Sequence, residues 1–160
     1  MSSSDKHNNI QKNLSIVRYK IKAKSKEIFL LNQVHSSKFH YISKHSKPLN
    51  KLEGDALVTD KKNMPIAVLT ADCAPILIYD ENKKMIAAVH AGWRGAYKGI
   101  VKKVIKFMIK KGCSPKNITA AIGPCISSRN YQVREDFIKK FIKKDKKNII
   151  FFKKTKDKNY

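Results

Sequence analysis

The 160-residue chain has no apolar run near the ~20 residues needed to cross a bilayer. Its polar start, MSSSDKHNNIQKN, has no apolar centre of the kind a secretory signal carries, so neither a spanning segment nor export is expected. Cysteine is scarce: Cys73, Cys113 and Cys125 make an odd number and are widely spaced. That excludes a disulfide framework as the organising device and points to reduced thiols in a cytoplasm. Acidic residues are also few, 12 Asp+Glu against 35 Lys+Arg, for a formal net charge of +23. Such an imbalance favours anionic partners. Yet no arginine cluster, RGG tract or aromatic-interleaved patch concentrates the charge, and the basic residues are mostly lysines scattered among Ile and Asn. No specific nucleic-acid partner is expected, although nonspecific polyanion binding in low salt is.

What is present is enough apolar material, 42% of residues, for one domain with a core. Residues 1–24 are polar and read as a poorly ordered segment, 25–152 as the folded domain, and 153–160 as a basic tail. Short runs rich in Val, Ile and Ala predict buried strands at 27–31, 56–60, 66–72, 75–80 and 85–90, and ITAAIGPC, 118–125, predicts another strand running into a turn. The turn KKNMP joins the second and third of these, ENKK the fourth and fifth, and a polar loop occupies 44–55. From Ala96 the period becomes helical, with Ile100, Val101, Val104, Ile105, Met108 and Ile109 on one face, lysines on the other and Gly112 as a stop. EDFIKKFIKK, residues 135–144, predicts a second amphipathic helix with its acids in the first turn. The class is mixed α and β.

Three of the apolar runs lead into side chains with chemistry: His35 after EIFLLNQV, Cys73 after IAVLTAD, and His90 at the end of MIAAVH. Imidazole nitrogen and thiolate sulfur are the ligands that zinc prefers, and three protein ligands with one open corner is its catalytic form. The same residues also permit a Cys73 nucleophile with His90 as its base, and the sequence alone leaves both readings open. Asp72, beside Cys73, is a candidate general base or supporting partner. In GWRG, Gly92 allows a tight backbone, Arg94 can reach an anion, and Trp93 can stack on a flat ring. Gly123, in IGPCIS, is a candidate for presenting a backbone N–H to a ligand, with Cys125 in the wall. His7, His40 and His45 lie in polar surroundings and are expected at the surface.

Taken together, NQVH, EGDALVTD, TADCAPIL, AAVHAGWRG and AIGPCISSRNYQV, in this order and spacing, resemble the YfiH-like multicopper polyphenol oxidase (laccase-domain) family. Its members are described as purine nucleoside phosphorylases with zinc at the active site. The resemblance covers residues 27–152 and implies a layered α/β/β/α sandwich with mixed sheets, shortened at both ends. By position it implies His35, Cys73 and His90 as metal ligands and catalytic residues. It also implies phosphorolysis of adenosine, inosine, guanosine and methylthioadenosine, with adenosine deamination, so purine nucleoside and phosphate are the expected partners. Zinc is the expected cofactor and copper the alternative, although three ligands do not build a multicopper cluster. Other readings stay in view: a cytoplasmic hydrolase that edits peptidoglycan precursors or a copper-dependent polyphenol oxidase, and an inactive basic fragment that binds nucleic acid.

Overall fold

The structure, a computed structural model, describes residues 5–25, 27–43 and 52–154, and the chain divides into two compact units, residues 1–125 and 126–160. The first unit is built on a five-stranded mixed sheet. Its strands are β1 (Phe39–Ile42), β2 (Ala56–Thr59), β3 (Ala74–Asp80), β4 (Met85–Ala91) and β5 (Ile118–Ile122), in the order β1-β2-β4-β3-β5. β1 and β2 run parallel, and every other neighbouring pair is antiparallel. The central strands are the most apolar: all four residues of β2 are buried, and Ala87, Ala88, Val89 and His90 of β4 are buried beside them.

One face of the sheet is covered by α3 (Ile100–Lys110). Ile100, Val104 and Met108, four residues apart, point one stripe of the helix into Val58, Ile76, Ile78, Ala87 and Val89. All three are fully buried, each contributing roughly 1.5–3 kcal/mol. Leu31, Ile42, Leu57 and Met64 form a second cluster. The architecture is α+β, as the sequence predicts. The turn between β3 and β4 is drawn in by buried Asp80. Its carboxylate accepts the Lys83 N–H at 2.8 Å and the Ser114 N–H at 3.1 Å.

Several local expectations change. The runs at 27–31 and 66–72 meet in a single isolated parallel bridge, Phe29 with Ile66, in place of strands, and another such bridge joins Asn32 to Glu53. Phe29, Leu31 and Ile66 still deliver their apolar surface to the second cluster, so burial is achieved without a continuous ladder. Accordingly β2 pairs with β1 and β4, not with the run that follows it. FHYI forms β1, which sequence reading passes over because its aromatics are interrupted by His40. The helix expected from Ala96 starts earlier and is split into α2 (Trp93–Tyr97) and α3. Gly99 causes the break, with its backbone in the left-handed region at φ 74°.

Residues 1–24, expected to be poorly ordered, contain the helix α1 (His7–Lys20). Its run has no glycine or proline, and Asp5 accepts from the Lys6 N–H and from Asn9 Nδ2 at its start. None of its residues is buried, and the helical spacing of Ile10, Leu14 and Val17 is diluted by polar neighbours, so sequence reading passes over it. Most of the predicted 44–55 loop, with His45, lies outside the described residues, as does the tail beyond 154.

In the second unit, α4 (Glu135–Lys144) appears with the predicted bounds and with Glu135 and Asp136 in its first turn. A 3-10 helix, Lys146–Phe151, follows, its first turn capped by Asp145 accepting from the Lys147 N–H at 2.9 Å. Phe137, Phe141 and Phe152 meet through ring contacts with centroids 4.8–6.2 Å apart.

Candidate metal centre

The register of the sheet assembles the site. β3 and β4 pair Ala74 with Ala91 and Pro75 with His90, so Cys73, just before β3, arrives beside the end of β4. β2 and β4 pair Ala56 with Val89, which brings Asp55 to His90, and the Asp55 carbonyl accepts the His90 N–H at 2.7 Å. His35 comes from the loop ahead of β1, where its backbone sits in the left-handed region at φ 55°. Few non-glycine residues adopt that conformation unless neighbours impose it. Here the neighbour is Asp55. Its Oδ1 accepts the His35 N–H at 2.9 Å, and its Oδ2 accepts the Ser36 N–H at 2.6 Å and the Ser36 hydroxyl at 2.7 Å.

One candidate ligand atom from each of His35, Cys73 and His90 lies within 4.8 Å of the others. Cys73 Sγ is 3.6 Å from His35 Nε2, and the two imidazole rings meet edge to face with centroids 4.7 Å apart. Donors about 2.0–2.3 Å from a tetrahedral ion stand roughly 3.3–3.8 Å from one another. The thiol–imidazole distance already falls in that window. Asp55 Oδ1 holds His90 Nδ1 at 2.8 Å, which leaves Nε2 as the atom His90 can offer. A carboxylate behind a ligating histidine is the usual means of fixing ring and tautomer. Gly92 closes the cradle: a Cβ there would lie 2.7 Å from His35 Cδ2 and 3.1 Å from Cys73 Sγ. The donor set and the space between the donors fit a single soft or borderline ion.

Charge favours the same conclusion. Burial and then the negative charges of Asp72 and Asp55 push the Cys73 thiol up, disfavouring a free thiolate. A cation at the donors would reverse that bias. Asp55 is fully buried, which raises its pKa. Hydrogen bonds from the Ser36 hydroxyl, the His90 ring and the Ser36 and His35 N–H groups outweigh burial and hold the carboxyl below its usual range.

The other expected residues divide. Asp72 is exposed, and its charge reaches Cys73. Arg94 is exposed and lies over the half-buried Trp93 ring at 5.4 Å, just past Gly92. Gly123 requires a correction: its N–H donates to the Pro75 carbonyl at 2.9 Å, extending the β5–β3 pairing, so it is not available to a ligand. Cys125 is exposed and outside the donor cluster, and Cys113 is buried with its thiol donating to Met85 Sδ at 3.8 Å. His7 is exposed as expected, whereas half-buried His40 contacts the Glu53 carbonyl through Nε2 at 2.8 Å. The residue that sequence reading missed is Asp55. Its signal was an acid placed directly before the apolar strand ALVT.

The chain is similar to known proteins along most of its length. A Rickettsia prowazekii protein named purine nucleoside phosphorylase is 36% identical over 159 residues, 94% of this chain and 65% of its own length. An Aquifex aeolicus protein of the same name is 38% identical over 141 residues, again 65% of its length. The chain thus spans less than two thirds of these relatives. The crystal structure of the Bacillus licheniformis hypothetical protein YfiH superposes with a TM-score of 0.89 at 26% identity, over 100% of this chain and 63% of that one. A Neisseria meningitidis protein gives 0.83 at 28% identity, over 99% and 62%. The family described as multi-copper polyphenol oxidoreductase laccase matches residues 1–160. A fold shared with YfiH, relatives along most of the chain and a family match from end to end make this chain a member of the multi-copper polyphenol oxidoreductase laccase family.

Proposed function

We propose that the chain forms the zinc centre of a purine nucleoside phosphorylase that cleaves adenosine, inosine, guanosine or methylthioadenosine with phosphate, and that it also deaminates adenosine. The observation that carries this reading is the convergence of His35, Cys73 and His90, with one donor atom of each inside 4.8 Å. The relatives named purine nucleoside phosphorylase supply the substrate class. Zinc held by these three side chains would supply Lewis-acid polarisation at the open fourth corner.

The chain's own residues do the rest. Asp55 locks the His90 ring by its Nδ1 and keeps Nε2 directed to the donor cluster. The Arg94 guanidinium, exposed beyond Gly92, binds a phosphate oxygen pair, and the Trp93 ring offers a face for the purine. Asp72, exposed beside Cys73, moves a proton during deamination. With a cytoplasmic location this chemistry meets its substrates directly.

A second reading has one observation in its favour. The base for a Cys73 nucleophile, expected to be His90, would here be His35, whose Nε2 lies 3.6 Å from Cys73 Sγ. The upward push on the thiol weighs against it. Incubating zinc-loaded protein with adenosine, with and without phosphate, separates the chemistries. Adenine with ribose 1-phosphate, lost on chelation, supports phosphorolysis, and inosine supports deamination. Free ribose formed equally without phosphate would sink the phosphorylase reading.

A further inference from the structure

We infer that Gln33 is a positioning residue of this metal centre, its carboxamide standing in for a peptide group that ties the Cys73 arm to the His35 arm. The segment from Ala67 to Cys73 belongs to no strand. Its upstream end is paired through the backbone: the Phe29 N–H donates to the Pro65 carbonyl at 2.9 Å, and the Ala67 N–H donates to the Phe29 carbonyl at 3.0 Å. Beyond Ala67 that pairing stops, and Gln33 takes over. The Leu69 N–H donates to Gln33 Oε1 at 2.7 Å, and Gln33 Nε2 donates to the Leu69 carbonyl at 2.7 Å.

One side chain thus both accepts from and donates to a single residue of the neighbouring segment, as a strand partner does. A carboxamide offers an acceptor oxygen and a donor N–H on one carbon, the arrangement of a peptide group. The location gives the contact its significance. Gln33 is two residues before His35, and Leu69 is four residues before Cys73, so the pair of bonds cross-links the two loops that carry these donors. Asp55 secures His35 and His90 but makes no hydrogen bond to the Cys73 arm among the described residues. Cys73 is anchored on its C-terminal side by the β3–β4 pairing that begins at Ala74. On its N-terminal side the Gln33 clamp is what limits its swing relative to His35.

This inference rests on the metal-centre reading, and cobalt titration of the full chain tests the two separately. Cobalt(II) reports sulfur ligation by a thiolate-to-metal charge-transfer band and tetrahedral geometry by its visible bands. In the wild type both bands are expected. Gln33→Met, close in length but unable to make either bond, should weaken cobalt binding by about tenfold or more and lower the thiolate band per bound ion. Gln33→Glu, which still accepts from the Leu69 N–H, should fall between. Hydrogen exchange at the Leu69 amide in metal-free protein should speed up in Gln33→Met.

Unchanged cobalt affinity and band intensity in Gln33→Met would overturn the inference and leave the metal centre standing. Absence of a thiolate band in the wild type would overturn the metal-centre reading, and the inference with it. If Gln33→Met fails to fold by circular dichroism, Gln33→Glu decides: wild-type affinity and band there overturn the inference, and a partial loss supports it.

Discussion

Asp55 accepts hydrogen bonds from the His35 N–H, the Ser36 N–H, the Ser36 hydroxyl and the His90 ring, and every partner is a donor. A carboxylate suits that demand because it has only acceptors to offer. Asn in its place must turn an N–H toward one of the donors, leaving a buried group unsatisfied at a cost of about 1–3 kcal/mol. Asp55→Asn is therefore expected to weaken zinc binding roughly 10- to 100-fold, with a lower melting temperature. Competition against a chromophoric chelator, paired with thermal melts, measures both. Unaltered zinc affinity would mean that packing alone orients the rings. His35, Cys73 and His90 were legible in the sequence because each follows or ends an apolar run. Asp55 was not, because its partners lie 19, 20 and 35 residues away, His35 and Ser36 brought by the loop ahead of β1 and His90 by strand register. Gly123 misled for the same reason: a glycine turn says nothing about which carbonyl its N–H will meet.

At the level of elements, the β3–β4 hairpin has a functional end and a structural end. Asp80 anchors the structural one. The Lys83 N–H first of all, against the opposing effect of burial, and then the N–H groups of Ser114 and Asn82 and the Cys113 thiol, hold its carboxyl below the ordinary range. A depressed carboxyl contributes stability that is fully present above its unfolded value of 3.8 and is lost as pH falls through the folded value. Asp80→Asn should thus lower the melting temperature at pH 7, and the gap to wild type should narrow once pH drops below about 4. Melts across pH 3–7 check this, and a gap that stays constant would refute it. Four of the strands, β2, β3, β4 and β5, could be read from composition because they are short runs rich in Val, Ile, Leu and Ala. β1 and the 66–72 segment could not, since their state depends on which neighbour offers a ladder. The split between α2 and α3 turned on a single left-handed Gly99 inside a helical pattern.

Across the whole chain the net charge is +23, and β3 and β5 of the sheet leave Leu77 and Ile122 exposed at 58% and 71%. Lysines spread over many elements attract phosphate backbones without reading bases. Affinity for single-stranded RNA should drop roughly a thousandfold between 50 and 200 mM salt and show no preference among sequences. Fluorescence anisotropy with several unrelated oligomers measures both. A salt-insensitive preference for one sequence would instead mark a specific nucleic-acid site.

The same sheet carries a consequence for folding. Pro75 faces His90 in the β3–β4 ladder, so a shift of two residues, which leaves the apolar faces correctly turned, displaces Cys73 by roughly 6.8 Å. A hairpin misaligned in that way satisfies hydrophobic burial yet cannot close around an ion. A metal ion bound while the chain folds would then act as a proofreader, deepening only the correctly aligned basin in proportion to how tightly it is held.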